Sequence, residues 1–114
     1  MTKVIKVEDG IYFDNGFSLC SYHESDCCES HWLDFDHVSL EDFKDLEFDL
    51  TKDDFFKRID DYGIELVPIK GWSVKIPGYG SNNGYYSSQL DLILSNGNGV
   101  NRKYDISECQ VIND

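Results

Sequence analysis

Hydrophobic and polar positions alternate with a period of two through most of the first third of the chain, which predicts short strands. Lys3 to Glu8 alternates modestly and is followed by the turn pair Asp9-Gly10. Ile11 to Asp14 and Phe17 to Tyr22 flank Asn15-Gly16, and this arrangement predicts a hairpin closed by a type I′ turn, because both central residues then take positive φ. Cys28 to Phe35 predicts a further strand. His31, Leu33 and Phe35 share one face of it and Ser30, Trp32 and Asp34 the other, so Leu33 and Phe35 are candidate core.

The middle of the chain carries two helix-start signals. In Val38-Ser39-Leu40-Glu41-Asp42-Phe43, Ser39 can cap a helix, Asp42 stands near the capping-box position and Val38 can staple onto Phe43. Thr51, Asp54 and the Leu50/Phe55 pair repeat the device twelve residues on. This second segment predicts a helix with Phe55, Phe56, Ile59 and Tyr62 on its buried face. Asp53/Lys57 and Asp54/Arg58 would pair on its outer face, and Gly63 would end it.

The last third predicts strands over Ile64 to Ile69, Trp72 to Ile76, Tyr86 to Leu94 and Val100 to Ile106, with a short one over Cys109 to Ile112. Pro68 favours an edge or a bend, Pro77 to Gly84 reads as a turn-rich loop, and Asn96 to Gly99 as a turn. Together the elements predict one α+β domain over residues 1 to 114, an antiparallel β-sheet with two short central helices packed on it.

Composition sets the scale. A chain of 114 residues, 40% hydrophobic and 14% aromatic, has enough apolar surface for one core and argues against disorder. The first residues lack the apolar stretch of a secretory signal, and no apolar run approaches the ~18 residues of a membrane span. Cys20, Cys27, Cys28 and Cys109 are irregularly spaced, and the adjacent Cys27-Cys28 is awkward to bridge, so the expectation is reduced thiols in a cytoplasmic protein.

Charge is segregated. The net charge is −12, and residues 1 to 65 carry all of it, leaving 66 to 114 neutral. From Glu24 to Asp61 there are 14 acids against Lys44, Lys52, Lys57 and Arg58. Such a surface repels phosphate and attracts basic proteins, which argues against direct nucleic-acid binding. Once the capping and pairing acids are set aside, Asp34, Asp36, Glu41, Asp45, Glu47, Asp49, Asp60 and Asp61 remain as the candidate acidic binding face.

The densest reactive stretch is His23 to His31. His23, Cys27, Cys28, Glu29 and His31 are of the residue types that ligate zinc, and in an extended chain Cys27, Glu29 and His31 share a face. The spacing fits no standard zinc motif, and His23 would have to fold back to join. The plainer reading packs a cysteine as a small buried hydrophobe with the carboxylates in solvent. Cofactors are accordingly expected to be none, with zinc as the alternative. Cysteine catalysis is disfavoured, since Glu24, Asp26 and Glu29 should raise the neighbouring thiol pKa values. Gly78, Gly80 and Gly84 lack the lysine and spacing of a phosphate loop. Asn82, Asn83, Tyr85 and Tyr86, with Tyr79 and Trp72 nearby, have the composition of a protein-contact surface.

Asp26-Cys27-Cys28-Glu29-Ser30-His31 and Asn82-Asn83-Gly84-Tyr85-Tyr86-Ser87-Ser88 together resemble a group of uncharacterised small proteins of bacteriophages and bacteria. That group is marked by an Asp-Cys-Cys-Glu motif after a hairpin and a later Asn-Gly-Tyr-Tyr-Ser stretch, and the likeness runs from about Ile11 to Gln110. The resemblance implies a phage or prophage setting in a bacterial cytoplasm and supplies no mechanism. The expectation is therefore a small acidic accessory protein, more a binder than an enzyme. Its partner would be a host protein with a basic surface, such as a CRISPR-type defence nuclease, with neither membrane nor nucleic acid bound directly. The alternative is a metal- or small-ligand-binding domain built on the His23 to His31 cluster.

Overall fold

The computed structural model describes residues 2–23, 30–81 and 89–113, the last two of these for backbone only. Among the described residues ten strands follow in chain order: β1 (Val4–Val7), β2 (Ile11–Phe13), β3 (Ser18–Tyr22), β4 (Ser30–Leu33), β5 (Phe56–Ile59), β6 (Gly63–Leu66), β7 (Val74–Ser81), β8 (Asp91–Asn96), β9 (Gly99–Asp105) and β10 (Val111–Asn113). Two 3-10 turns, Phe35–His37 and Leu40–Phe43, lie between β4 and β5. No α-helix occurs among the described residues, and no helix is long and apolar enough to cross a membrane.

The strands form two sheets. The first has the order β1-β2-β3-β8-β9 and is antiparallel throughout. The second is organised around β7, the longest strand. Its first half pairs with β6, which pairs in turn with β5. Its second half is flanked by β4 and β10, both of which pair with Tyr79, Gly80 and Ser81 and so occupy opposite edges. The β10 pairing is parallel, and the others are antiparallel. One core cluster takes Ile11, Leu19, Leu92 and Leu94 from the first sheet and Ile64, Leu66 and Ile76 from the second, with Phe43, Leu46, Phe48 and Phe55 between β4 and β5. Each such side chain contributes about 1.5–3 kcal/mol on leaving water.

The mainly antiparallel β character is thus as expected, but the single sheet is corrected to two, and the helical part is corrected as well. The first helix signal does nucleate a turn: Ser39 N–H donates to Asp42 Oδ2 at 2.8 Å, and Val38 and Phe43 are both buried. It stops after one 3-10 turn because the chain beyond it buries Leu46, Phe48 and Leu50 at alternate positions, a period no helix can serve. The second helix does not form. Phe56 to Ile59 is instead the edge strand β5, and Asp61, with φ 62°, makes the turn into β6. A lone twelve-residue helix is marginal in water, whereas pairing with β6 aligns Phe56 and Arg58 with the buried Leu66 and Ile64. The anticipated Asp53/Lys57 and Asp54/Arg58 pairs are therefore absent. Asp53 binds Arg102 and Tyr104 of β9, and Arg58 Nε donates to the Asp105 carbonyl at 2.9 Å, so β5 closes against β9.

Two smaller expectations also change. The β2–β3 hairpin forms, but only Gly16 of its turn has positive φ, at 90°. Phe13 N–H donates to the Phe17 carbonyl around a three-residue loop, with Asn15 Oδ1 accepting from Phe17 N–H, so the turn is not type I′. Pro77 to Ser81, read as loop, is the second half of β7. Glycine is required there for proximity: a Cβ on Gly80 would lie 2.2 Å from His31 Nδ1.

Candidate functional site

The candidate acids occupy three places. In the first 3-10 turn, Asp34 is half-buried and its Oδ1 accepts from Asp36 N–H at 3.1 Å, while Asp36 is exposed. Glu41, Asp45, Glu47 and Asp49 lie on the segment whose apolar side chains are sunk in the core. Its backbone is pinned by paired hydrogen bonds between Thr2 and Phe48 and by Trp72 Nε1 donating to the Asp42 carbonyl at 3.0 Å. Glu41, Asp45 and Glu47 consequently project into solvent. Asp49 has a local structural role, since its carboxylate accepts from Thr51. The Thr51 hydroxyl and then its N–H hold the Asp49 pKa below the ordinary carboxylate value. Asp60 and Asp61 form the exposed β5–β6 turn, where Asp61 N–H donates to the Glu108 carbonyl at 2.9 Å. Among the described residues, ion pairs involve Glu8, Asp53 and Asp91, and none uses any of these eight acids.

A groove of about 390 Å³ links the acidic segment to the second sheet, with His37, Asp42, Tyr62, Trp72 and Lys75 among its walls. Trp72 and Leu40 are exposed close to it in sequence or space, so apolar surface accompanies the charge.

The two histidines come together. His23, just past β3, and His31, on the inner face of β4, place their rings edge to face with centroids 4.5 Å apart, so His23 does fold back. His31 is buried at 5% exposure and His23 is half-buried. His23 Nδ1 faces the backbone carbonyl of Gln89, and His31 Nδ1 lies 2.7 Å from Gln110 Oε1. Gln110 is itself oriented by its Nε2, which donates to the Ser107 carbonyl at 2.7 Å. Cys27, Cys28 and Glu29 lie outside the described residues, as do Asn82, Asn83, Tyr85 and Tyr86. The residues flanking both segments are nevertheless neighbours: His23 touches Gln89, and Ser30 pairs with Ser81.

Gln110, Gly80, Gln89 and Ser107 were not legible as partners of the histidines, because contacts across 79 residues of chain leave no local pattern. A second group was also missed. Asp60, Glu108 and Cys109 hold their ligand-type atoms within 4.8 Å of one another. Burial first, and then the Glu108 and Asp60 charges, push the Cys109 thiol pKa up to about 11. Burial likewise raises that of Cys20, and both thiols are free.

The chain matches no family model, no curated protein and no solved structure.

Proposed function

We propose that this is a small acidic interaction protein that occupies a basic surface on another protein. The carrying observation is the segment from Val38 to Leu50. Five apolar side chains fix it to the core while Glu41, Asp45 and Glu47 face solvent with no ion-pair partner among the described residues. A rigid backbone presenting unneutralised carboxylates supplies electrostatic attraction without an ordering cost on binding. Asp34, Asp36, Asp60 and Asp61 extend the acidic surface from neighbouring turns.

Nucleic-acid-binding enzymes, defence nucleases of a bacterial host among them, are the partner class this chemistry suits, because fixed carboxylates can stand in for phosphates. A phage setting rests on the motif resemblance. The test is binding to purified nucleases of this class across a salt series, with duplex DNA as competitor. Affinity should fall steeply with salt, DNA should compete, and the triple variant Glu41→Gln/Asp45→Asn/Glu47→Gln should bind at least tenfold more weakly. Binding indifferent to salt and to the triple variant would overturn the reading.

A further inference from the structure

The connection between β6 and β7 is held against the acidic segment at three points. Ile69 N–H donates to the Glu47 carbonyl at 2.8 Å, and Trp72 Nε1 donates to the Asp42 carbonyl at 3.0 Å. Between them Gly71, at φ 108°, passes so close to Leu46 that a Cβ there would lie 2.9 Å from Leu46 Cδ2. With 69 beside 47 and 72 beside 42, the connection runs antiparallel to the segment.

What it leaves outside is apolar. Ile69 is 52% exposed and Trp72 57%, and Leu40, at 48%, stands at the start of the segment they flank. Glu41, Asp45 and Glu47 are exposed along the same stretch. Apolar side chains at the centre of a patch with charge around it are the anatomy of a protein interface, and tryptophan is over-represented among interface anchors.

The groove beside Trp72 indicates what the anchor meets. Tyr62 and Trp72 bring two aromatic rings to its walls, and Asp42 brings a carboxylate. Ser39 N–H occupies Asp42 Oδ2 at 2.8 Å, while Oδ1 takes no hydrogen bond among the described residues. The Trp72 N–H is already committed to the Asp42 carbonyl, so the indole offers a visiting group its ring and no donor. A guanidinium suits this set, because it can lie on an aromatic ring and still donate to a carboxylate, which a compact, strongly hydrated ammonium does less well. Lys75, also in the wall, opposes a cationic guest, although Glu65 stands across from it in the β6–β7 register.

We propose that the Trp72 groove receives an arginine side chain of the basic partner, with Ile69 and Leu40 covered by apolar side chains around it. The inference rests on the acidic face being a binding surface and adds its anchor: the acids attract, and Trp72 with Asp42 selects arginine over lysine.

Fluorescently labelled octa-arginine and octa-lysine, equal in charge, would be titrated into the full chain at physiological salt. Octa-arginine should bind about threefold more tightly or better. Trp72→Ala should remove that preference, and Lys75→Gln should tighten octa-arginine binding. In nitrogen-15 spectra of the parent, octa-arginine should move the Trp72 indole N–H resonance. If Trp72→Ala melts early, Lys75→Gln and the indole resonance decide the matter. Absent or equal binding of the two peptides, a preference that survives Trp72→Ala, weaker binding by Lys75→Gln, or an indole resonance that stays in place overturns the proposal. The triple variant Glu41→Gln/Asp45→Asn/Glu47→Gln separates it from the acidic-face reading. Loss of affinity for both peptides with no arginine preference in the parent leaves the acidic face standing and removes the groove. A Trp72-dependent preference with affinity unchanged in the triple variant does the reverse.

Discussion

The Tyr104 hydroxyl donates to Asp53 Oδ1 at 2.6 Å, an oxygen that also accepts from Arg102 Nη1 at 2.7 Å. This contact ties the turn before β5 to β9 and joins the edges of the two sheets. Desolvation first, and then the hydrogen bond to Asp53, push the Tyr104 pKa up to about 12. The unfolded chain releases the same proton near ~10. The folded state therefore holds it more tightly, and the stabilisation linked to it is complete below pH ~10 and lost as pH climbs toward 12. Melting temperature should fall across that window, and Tyr104→Phe should flatten the fall while lowering the neutral-pH value by a few degrees. Asp53 has the opposite sign: its pKa is lowered, by the Tyr104 hydrogen bond first, so its contribution is present above the unfolded value and disappears on acidification.

Gly80→Ala should be among the most damaging single-methyl additions. The new Cβ would lie 2.2 Å from His31 Nδ1 and 2.6 Å from Gln110 Oε1, in a place where neither ring nor amide can retreat without losing its hydrogen bond. A loss of about 3 kcal/mol or more is expected in urea unfolding. Gly97→Ala, with nothing within 4 Å of the added atom, should be close to neutral and serves as the control.

These two sites illustrate what a sequence exposes and what it hides. The hairpin around Gly16, the alternation of His31 and Leu33 against Trp32, and the β8–β9 turn depend on residues close in the chain, and period-two patterning recorded them. Phe55-Phe56 and Thr51 misled because a capping signal is local while the choice between helix and strand was made by Ile64 and Leu66 across β5–β6 pairing. Of the site, the histidines were legible as chemistry. Their anchors at Gln89 and Gln110 are 66 and 79 residues away and leave no pattern.

Cys109 should be inert in the folded protein. It is fully buried, and its thiol pKa of about 11 leaves almost no thiolate at neutral pH. Peptide-level mass spectrometry after iodoacetamide treatment at pH 7.5 should find Cys109 modified only when denaturant is present. Rapid labelling of the native protein at this position would mean that the β9–β10 connection opens locally.

Neutralising the outward acids should not cost stability. Glu41, Asp45 and Glu47 take part in no ion pair among the described residues, and at a net charge of −12 their mutual repulsion is relieved by substitution or by salt. The triple variant Glu41→Gln/Asp45→Asn/Glu47→Gln should melt at an unchanged or higher temperature in low salt, and the gap from the parent should close as salt is added. Asparagine suits position 45 because the residue there has φ 64°, which asparagine tolerates. A marked loss of stability would show that these carboxylates do structural work.

Strand β7 takes one partner, β6, from just ahead of it and two from distant parts of the sequence, β4 well before it and β10 at the far end, and β10 can add only once the strand is in place. Closing such long loops is entropically slow, so the arrangement around His31 should be among the last to assemble during folding. Anything that binds there will select the fully assembled chain over partly folded forms, and refolding followed through that site will lag refolding followed through the β2–β3 hairpin.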